Sequence, residues 1–495
     1  MADNRYPDDR VKLTGQARKL PRATAAAVRS PKSNPRSAPE TSPRQPSPRA
    51  SVIGRLESVR ADKPHPNKAA PHTGSIPARP VPMHTLADSR PALEAEIGAE
   101  IVALVPHWYL AECGPEHYSI SVGQHVVSFF NHRKLTPNLA AFLKRISSRT
   151  RQLPLEHFAQ LPSLIDVFLE SLAIEWLRIH HPTTDWTRLI KYLELIARRT
   201  HENKPVAMNI IIRPGHGTGD ITQPYVQKVF DRLASSPYTF LALDPDLRLI
   251  EYGGVEWAQV TDAPSYKFHP EFLHPIHCVM GPNDLSAHLT TEGDLIIMNK
   301  AGLLAARRKR KWKIYDVRTF KNSLSYCLGN FHVGANLFEV VFDLSFRRYG
   351  SLLIYDPAHC TRSHILNPES ILFPGWRSDG GFNCDLRCGQ ALIGPSVEDL
   401  ALGRNKGPLE KKRRLLEMAC VDGALVFDDN HLLAVGAIIE SHPGVGNQLG
   451  ARTTATRSAY LWGAHPVKVS SDGDVTIYFK SRNGEAECDA VMQFL

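Results

Sequence analysis

The stretch CVDGALVFDDNHLLAVGA (residues 420–437) decides how the second half of this chain is read. Just before it, PLEKKRRLLEMA (408–419) has helical spacing, and Pro408 sits where a helix has no use for an N–H. DGALVFDD and HLLAVGAII then read as short buried strands parted by a polar turn. A helix feeding a buried strand is the grammar of an α/β layer. Asp422, beside Gly423 and Ala424, reads as a lone acid tucked between apolar runs.

Working outward, the same grammar holds. GANLFEVVFDLSFRR (334–348) places Leu337, Val340, Val341 and Leu344 on one helical face, and YGSLLIYDP (349–357) is a buried strand closed by an Asp-Pro turn. Past the polar loop ESHPGVGNQL, GARTTATRSAYLWGA (450–464) reads as a helix entered from a glycine turn. HPVKVSS and DVTIYFK close the domain as a hairpin on an Asp-Gly turn.

Upstream the patterns differ. Residues 205–317 alternate as short strands (VAMNIIIR, TFLALDP, LRLIEYGG, LSAHLTT, DLIIMNK, GLLAAR), so a small β-rich domain is expected. PGHGTGD (214–220) lacks the Walker lysine and the dinucleotide spacing, and reads as a tight turn before a helix over ITQPYVQKVFDRLA. RRKRKWK (307–313) ends this domain. It reads as a solvated face anchored by Trp312 and Ile314, with nucleic-acid binding the lesser reading. Residues 93–204 have helical spacing throughout, with Thr184 or Asp185 as an N-cap, and are expected to form a packing or interaction domain. Residues 1–92 are rich in Pro, Ser, Arg and Lys and cannot bury enough apolar surface to offset their ordering entropy, so a disordered basic tail is expected.

Of the 495 residues, 42% are apolar, and much of the formal charge of +9 lies in that tail. No apolar run reaches membrane-spanning length and no signal-peptide core is visible, so a soluble cytoplasmic protein is expected. The eight scattered cysteines suit free thiols better than a disulfide framework. Cys384 and Cys388, with His359 and Cys360, lack convincing zinc spacing.

The order of elements in the last third resembles the diadenylate cyclase domain, which condenses two ATP into cyclic di-AMP. That family carries a strand like G-A-L-I-V, a D-G-A motif, a G-T/A-R-H-R motif and an S-E-E/D turn. The counterparts here are Gly350–Ile354, Asp422–Gly423–Ala424, Gly450–Ala451–Arg452 and Ser470–Ser471–Asp472. The likeness covers roughly residues 318–482; the domain is taken as 318–495. It implies a multidomain chain ending in a mixed central sheet flanked by helices. The β-rich region preceding it is similar to sensor modules found before such domains.

The resemblance implies catalytic roles for Asp422, Gly423, Ala424 and Arg452. Asp422 would hold a divalent cation (Mg or Mn) or take the proton of the attacking hydroxyl. Gly350, Leu352, Gly450, Ala451, Thr453, Thr454, Ser470 and Asp472 would line the nucleotide site. Two such sites must face each other, so a homodimer or higher oligomer is implied. The chain departs from the family where R-H-R becomes Arg452–Thr453–Thr454, which loses a cation and an imidazole. Charge-assisted bonds to phosphate are roughly twice as strong as neutral ones, so triphosphate grip should weaken. Two readings lead, a nucleotidyltransferase making cyclic di-AMP or a catalytically impaired nucleotide sensor using the same pocket, and a nucleic-acid-binding or interaction scaffold built on the basic tail and RRKRKWK ranks well below them.

Overall fold

The chain is described by a computed structural model over residues 84–494, except 162, 202–203, 222–233, 257–259, 261–267, 373–407 and 447–449. The expected helix after PGHGTGD, the Cys384/Cys388 pair and most of the expected tail fall outside the described residues.

The chain is first described in α1 (His84–Ala103), which begins inside the segment expected to be disordered. A hairpin follows, β1 (Glu116–Val122) and β2 (His125–Asn131), turning at Gly123 with φ 58°. This corrects the all-helical expectation for 93–204. Its signal is the alternation in HYSISV and HVVSFF, rich in β-branched and aromatic residues around a glycine turn. The helices α2 (Pro137–Thr150), α3 (Leu155–Gln160), α4 (Ser163–His180) and α5 (Trp186–Ala197) complete the layer. Asp185 caps α5, its carboxylate accepting the Arg188 N–H at 3.1 Å.

After the small pair β3 (Thr200–His201) and β4 (Lys204–Pro205) come the strands of a large sheet. They are β5 (Met208–Ile212), β6 (Gly219–Asp220), β7 (Thr239–Leu243), β8 (Arg248–Gly254), β9 (Leu285–Leu289), β10 (Leu295–Asn299), β11 (Gly302–Arg308) and β12 (Lys311–Ile314). The short α6 (His274–Val279) lies between β8 and β9. The sheet order is β12-β11-β10-β9-β5-β7-β8-β6, with only the β5–β7 pair parallel. PGHGTGD is a turn in which two amides are already bound: Gly217 N–H donates to Asp244 and Thr218 N–H to the Leu249 carbonyl.

Two helices, α7 (Val317–Leu328) and α8 (Phe331–Phe346), lead into the second sheet. Its strands are β13 (Ser351–Tyr355), β14 (Ala424–Phe427), β15 (Leu432–Ala437), β16 (His465–Val469), β17 (Val475–Asn483) and β18 (Ala486–Phe494). Helices α9 (Pro408–Ala419) and α10 (Ala451–Leu461) connect them. The order is β15-β14-β13-β16-β17-β18. β13 and β14 are parallel and the other pairs antiparallel, so the sheet is mixed. The closing hairpin has a third partner, β18, which the sequence reading lacks.

Strand alternation explains how the sheets stack. Ile210, Ile212, Leu295 and Ile297 pack with α1 to α5, while Ile211, Ile296 and Met298 join the core around α7 and α8. Leu353, Leu425 and Phe427 meet that same core from the second sheet. Leu352, Ile354, Ala424 and Val426 face the other way, toward α10. Successive side chains point to opposite faces, so the inner strands β5, β9, β13 and β14 are covered on both sides and read as apolar runs, while β17 and β18 alternate buried with exposed residues.

The run RRKRKWK is solvated at its centre, as expected, but its flanking arginines turn into the fold. It forms the β11–β12 turn, with Lys309, Arg310 and Lys311 exposed and most of its charges paired to neighbouring acids. Arg307 pairs with Glu170 and Glu194, Lys309 with Asp472 at 2.7 Å, and Lys311 with Glu100 at 3.2 Å. Arg308 is buried between Asp294 and Ser345, donating to Ser345 Oγ at 2.9 Å. Burial pulls the Lys313 ammonium down to about 8, and it donates to the Ala103 carbonyl. Trp312 and Ile314 are buried, as expected of anchors.

Candidate functional site

The turn between α9 and β14 and the start of α10 meet at one edge of the second sheet. A cavity of about 660 Å³ opens there, lined by Leu352, Asp422, Gly423, Ala437, Ile438, Ile439 and Gly450 to Ala455. Eight of the twelve nucleotide and catalytic candidates from the sequence therefore lie together: Leu352, Asp422, Gly423, Gly450, Ala451, Arg452, Thr453 and Thr454. Ala424 is buried just behind Gly423, as the first residue of β14.

The backbone here needs its glycines. Gly423 has φ 105°, and a Cβ on it would come within 2.4 Å of the Gly436 carbonyl carbon. Gly450 has φ 93° at the N-cap of α10, with no side-chain cap. The first N–H groups of a helix have no intrahelical acceptor, and the helix dipole favours an anion there. The pocket thus has an anion-accepting floor built from backbone.

Asp422 departs from its sequence reading. Its side chain is fully exposed (103% of the reference value) rather than tucked among apolar groups. The residue marks an exposed turn, with Cys420 and Val421 also exposed, before the chain buries itself at Ala424. Arg452 approaches it, with Nη2 3.5 Å from Asp422 Oδ1. Gly350 sits beneath that arginine; a Cβ there would meet Arg452 Nη1 at 2.4 Å. Gly350 therefore acts as clearance for the guanidinium.

Thr454 is partly engaged, its hydroxyl donating to the Gly450 carbonyl at 3.3 Å. Thr453 Oγ1 accepts a bond from Lys468 Nζ at 3.3 Å. Lys468 was missed in the sequence. It lies on β16 directly opposite Leu352, so both side chains share the pocket's face of the sheet. Its signal was a lysine between Val467 and Val469, at the alternate position of a buried strand. Asn367 was missed too. It holds the wall of the pocket, donating to the Gly436 carbonyl at 2.9 Å and accepting from Ile438 N–H at 2.7 Å.

Ser470 and Asp472 lie outside the pocket lining. Ser470 Oγ accepts the N–H groups of Asp472 and Asp474, closing the β16–β17 turn. Asp472 pairs with Lys309, whose ammonium holds the carboxyl below its usual range. The turn is thus tied to the upstream sheet. Ser470 is occupied by its own turn and Asp472 by Lys309 of the β11–β12 turn, which the resemblance could not foresee.

Among the described residues, no group of three or more His, Cys, Asp or Glu is placed to hold a metal ion. Among those same residues, Asp422 is the one carboxylate lining the pocket. A lone exposed carboxylate suits a magnesium-like ion, which keeps waters and takes other oxygens from substrate phosphates. No described helix is long and apolar enough to cross a membrane.

No family model matches the chain, and no curated protein matches it. Among solved structures, a double mutant of DacA from Staphylococcus aureus matches over 30% of this chain and 81% of its own, at 15% identity and a TM-score of 0.20. A hypothetical membrane spanning protein from Bacillus cereus matches over 34% of this chain and 74% of its own, at 15% identity and a TM-score of 0.16. Neither likeness is strong enough to bear on activity.

Proposed function

We propose that the pocket binds ATP and that the chain condenses two ATP molecules into cyclic di-AMP with release of pyrophosphate. The observation that carries this reading is the meeting of Asp422 and Arg452 over the N-terminus of α10, in a cavity of about 660 Å³. The exposed side chain of Ile438 and the neighbouring Ile439 offer an apolar wall to a base. The first-turn amides of α10 and Arg452 take the phosphates.

Chemistry of this kind is mostly alignment and charge stabilisation. A 3′-hydroxyl attacks an α-phosphate, and the bond to pyrophosphate breaks as the new phosphodiester forms. Asp422 accepts the hydroxyl proton or, with the phosphates, holds a divalent cation that would supply charge neutralisation. Because Asp422 is fully exposed, it can face a nucleotide bound to a second copy of the chain, as a reaction between two nucleotides requires. Lys468 behind Thr453 restores a positive charge near the position where the family's second arginine is absent.

The test is incubation of the purified chain with ATP and Mg²⁺ or Mn²⁺ and mass detection of cyclic di-AMP. Asp422→Ala should lower product by about 10²-fold or more while ATP still binds. No product with either metal, with ATP binding retained, would favour the second reading. That reading is a nucleotide sensor, and the neutral side chains of Thr453 and Thr454 speak for it.

A further inference from the structure

Two thiols far apart in sequence meet at the rim of the joint between the N-terminal layer and the second sheet. Cys113 Sγ lies 3.0 Å from Cys488 Sγ. The approach is held from both backbones: Cys113 N–H donates to Cys488 Sγ at 3.2 Å, and the Cys488 thiol points at the Cys113 carbonyl at 3.4 Å. Both residues are partly exposed, so a small oxidant can reach them.

The surroundings fix this geometry. Cys488 is paired with Ser481 across the β17–β18 hairpin. Ser481 is buried, and its Oγ meets Tyr109 Oη at 2.9 Å. Tyr109 also packs edge-on against Phe479 at 5.2 Å between ring centroids. One rung of the hairpin therefore holds the segment after α1 at two points, Tyr109 and Cys113. A disulfide needs its sulfurs about 2.05 Å apart, roughly 1 Å closer than they stand.

We propose that Cys113 and Cys488 form a reversible disulfide that locks the N-terminal layer onto the β17–β18 hairpin. With hydrogen peroxide as oxidant, one thiol becomes a sulfenic acid with loss of water. The second thiol then displaces a second water as the S–S bond forms. Two electrons and two protons leave the thiols, and one peroxide becomes two waters. The hydrogen bond to Cys488 and partial burial push the Cys113 thiol up to about 11, so the reaction is slow at neutral pH and quickens in alkali. The lock would be felt beyond the joint. Asp489, next to Cys488, accepts the Tyr460 hydroxyl of α10 at 2.7 Å, and α10 begins at the pocket.

The test treats the full chain with dilute hydrogen peroxide, alkylates the remaining thiols and maps peptides without reduction. A peptide pair joining residues 113 and 488, two hydrogens lighter than its parts and released by dithiothreitol, is the expected result. Cys113→Ser should leave Cys488 open to alkylation after peroxide, and should abolish the rise in thermal midpoint that oxidation gives the native chain. Alkylation of both thiols in the peroxide-treated native chain would overturn the proposal, as would pairing of either with another cysteine. A linked chain with an unchanged thermal midpoint would refute the lock. Neither readout depends on nucleotide turnover.

Discussion

At the scale of single residues, a lysine from the neighbouring strand supplies charge beside the threonines of α10. Thr453 is neutral, but it rests on Lys468, which reaches it from the next strand. A bond to a charged group is worth about 1.5–3 kcal/mol, and each 1.4 kcal/mol is about tenfold in affinity. Lys468→Met should therefore weaken ATP binding by about tenfold or more, measured by calorimetry, with no change in fold. Affinity equal to that of the native chain would mean that the lysine serves only the threonine. Gly350→Ala tests the other cation. The added methyl must push aside the Arg452 guanidinium, the movable end of a long side chain. Thermal stability should change little while ATP affinity and product both fall. A variant that binds ATP normally would show that Arg452 is not held by that clearance.

At the scale of elements, strand and helix types in the second half were legible because each segment's period matched its burial. LLIY, ALVF and LLAVGA are continuous apolar runs because both faces of the sheet are covered. The β1–β2 hairpin shows in the alternation of its own residues, but each strand is only seven residues long and the pair lies between segments of helical spacing. The place of Asp422 was legible only as a position along the chain. Its exposure depends on how the α9–β14 turn leaves the sheet, and no periodicity reports that. Lys468 needed the cross-strand register with Leu352, a pairing between distant segments. The α9–β14 turn also yields a prediction. Gly423 has φ 105°, and a methyl added there would sit 2.4 Å from the Gly436 backbone. Alanine at that φ is strained by about 1–3 kcal/mol before any clash is counted. Gly423→Ala should lower the unfolding midpoint and disorder the pocket together. In the N-terminal layer, Glu175 on α4 gathers Arg145, Arg149 and Arg178 within 3.0 Å. Burial alone would raise its pKa, but the three guanidiniums outweigh it and hold the carboxyl below the usual range. A lowered folded-state pKa gives stability that is complete above the unfolded value of about 4.3 and is lost as pH falls through the folded value. Glu175→Gln should therefore lose stability at neutral pH, and the gap to the native chain should close in acid. A gap independent of pH would mean that packing, not charge, sets it.

At the scale of the whole molecule, α7 and α8 belong to two sheets at once. Phe320, Leu337, Phe338 and Val341 share a core with Ile211, Ile296 and Met298 of the first sheet and with Leu353, Val467 and Phe479 of the second. Polar ties cross the same seam. Arg348 donates to both oxygens of Asp294 at 2.8 Å, and Arg308 bonds Ser345, whose hydroxyl reaches the Gly473 carbonyl. The sequence suggested a boundary near residue 317, where strand rhythm gives way to helices. The change of rhythm is real, but the packing runs through it, since α7 follows β12 after only two residues. A fragment of residues 318–495 would keep every residue lining the pocket and uncover the face of α7 and α8 that meets the first sheet. It would also leave Arg348 without Asp294, so a tie that crosses the seam is lost. That fragment should bind a hydrophobic dye strongly and self-associate, whereas residues 84–495 should unfold in one cooperative transition. A compact, monomeric 318–495 fragment that binds ATP as tightly as the longer chain would show that the seam is dispensable, and that the upstream sheet touches the second sheet's layer without holding it.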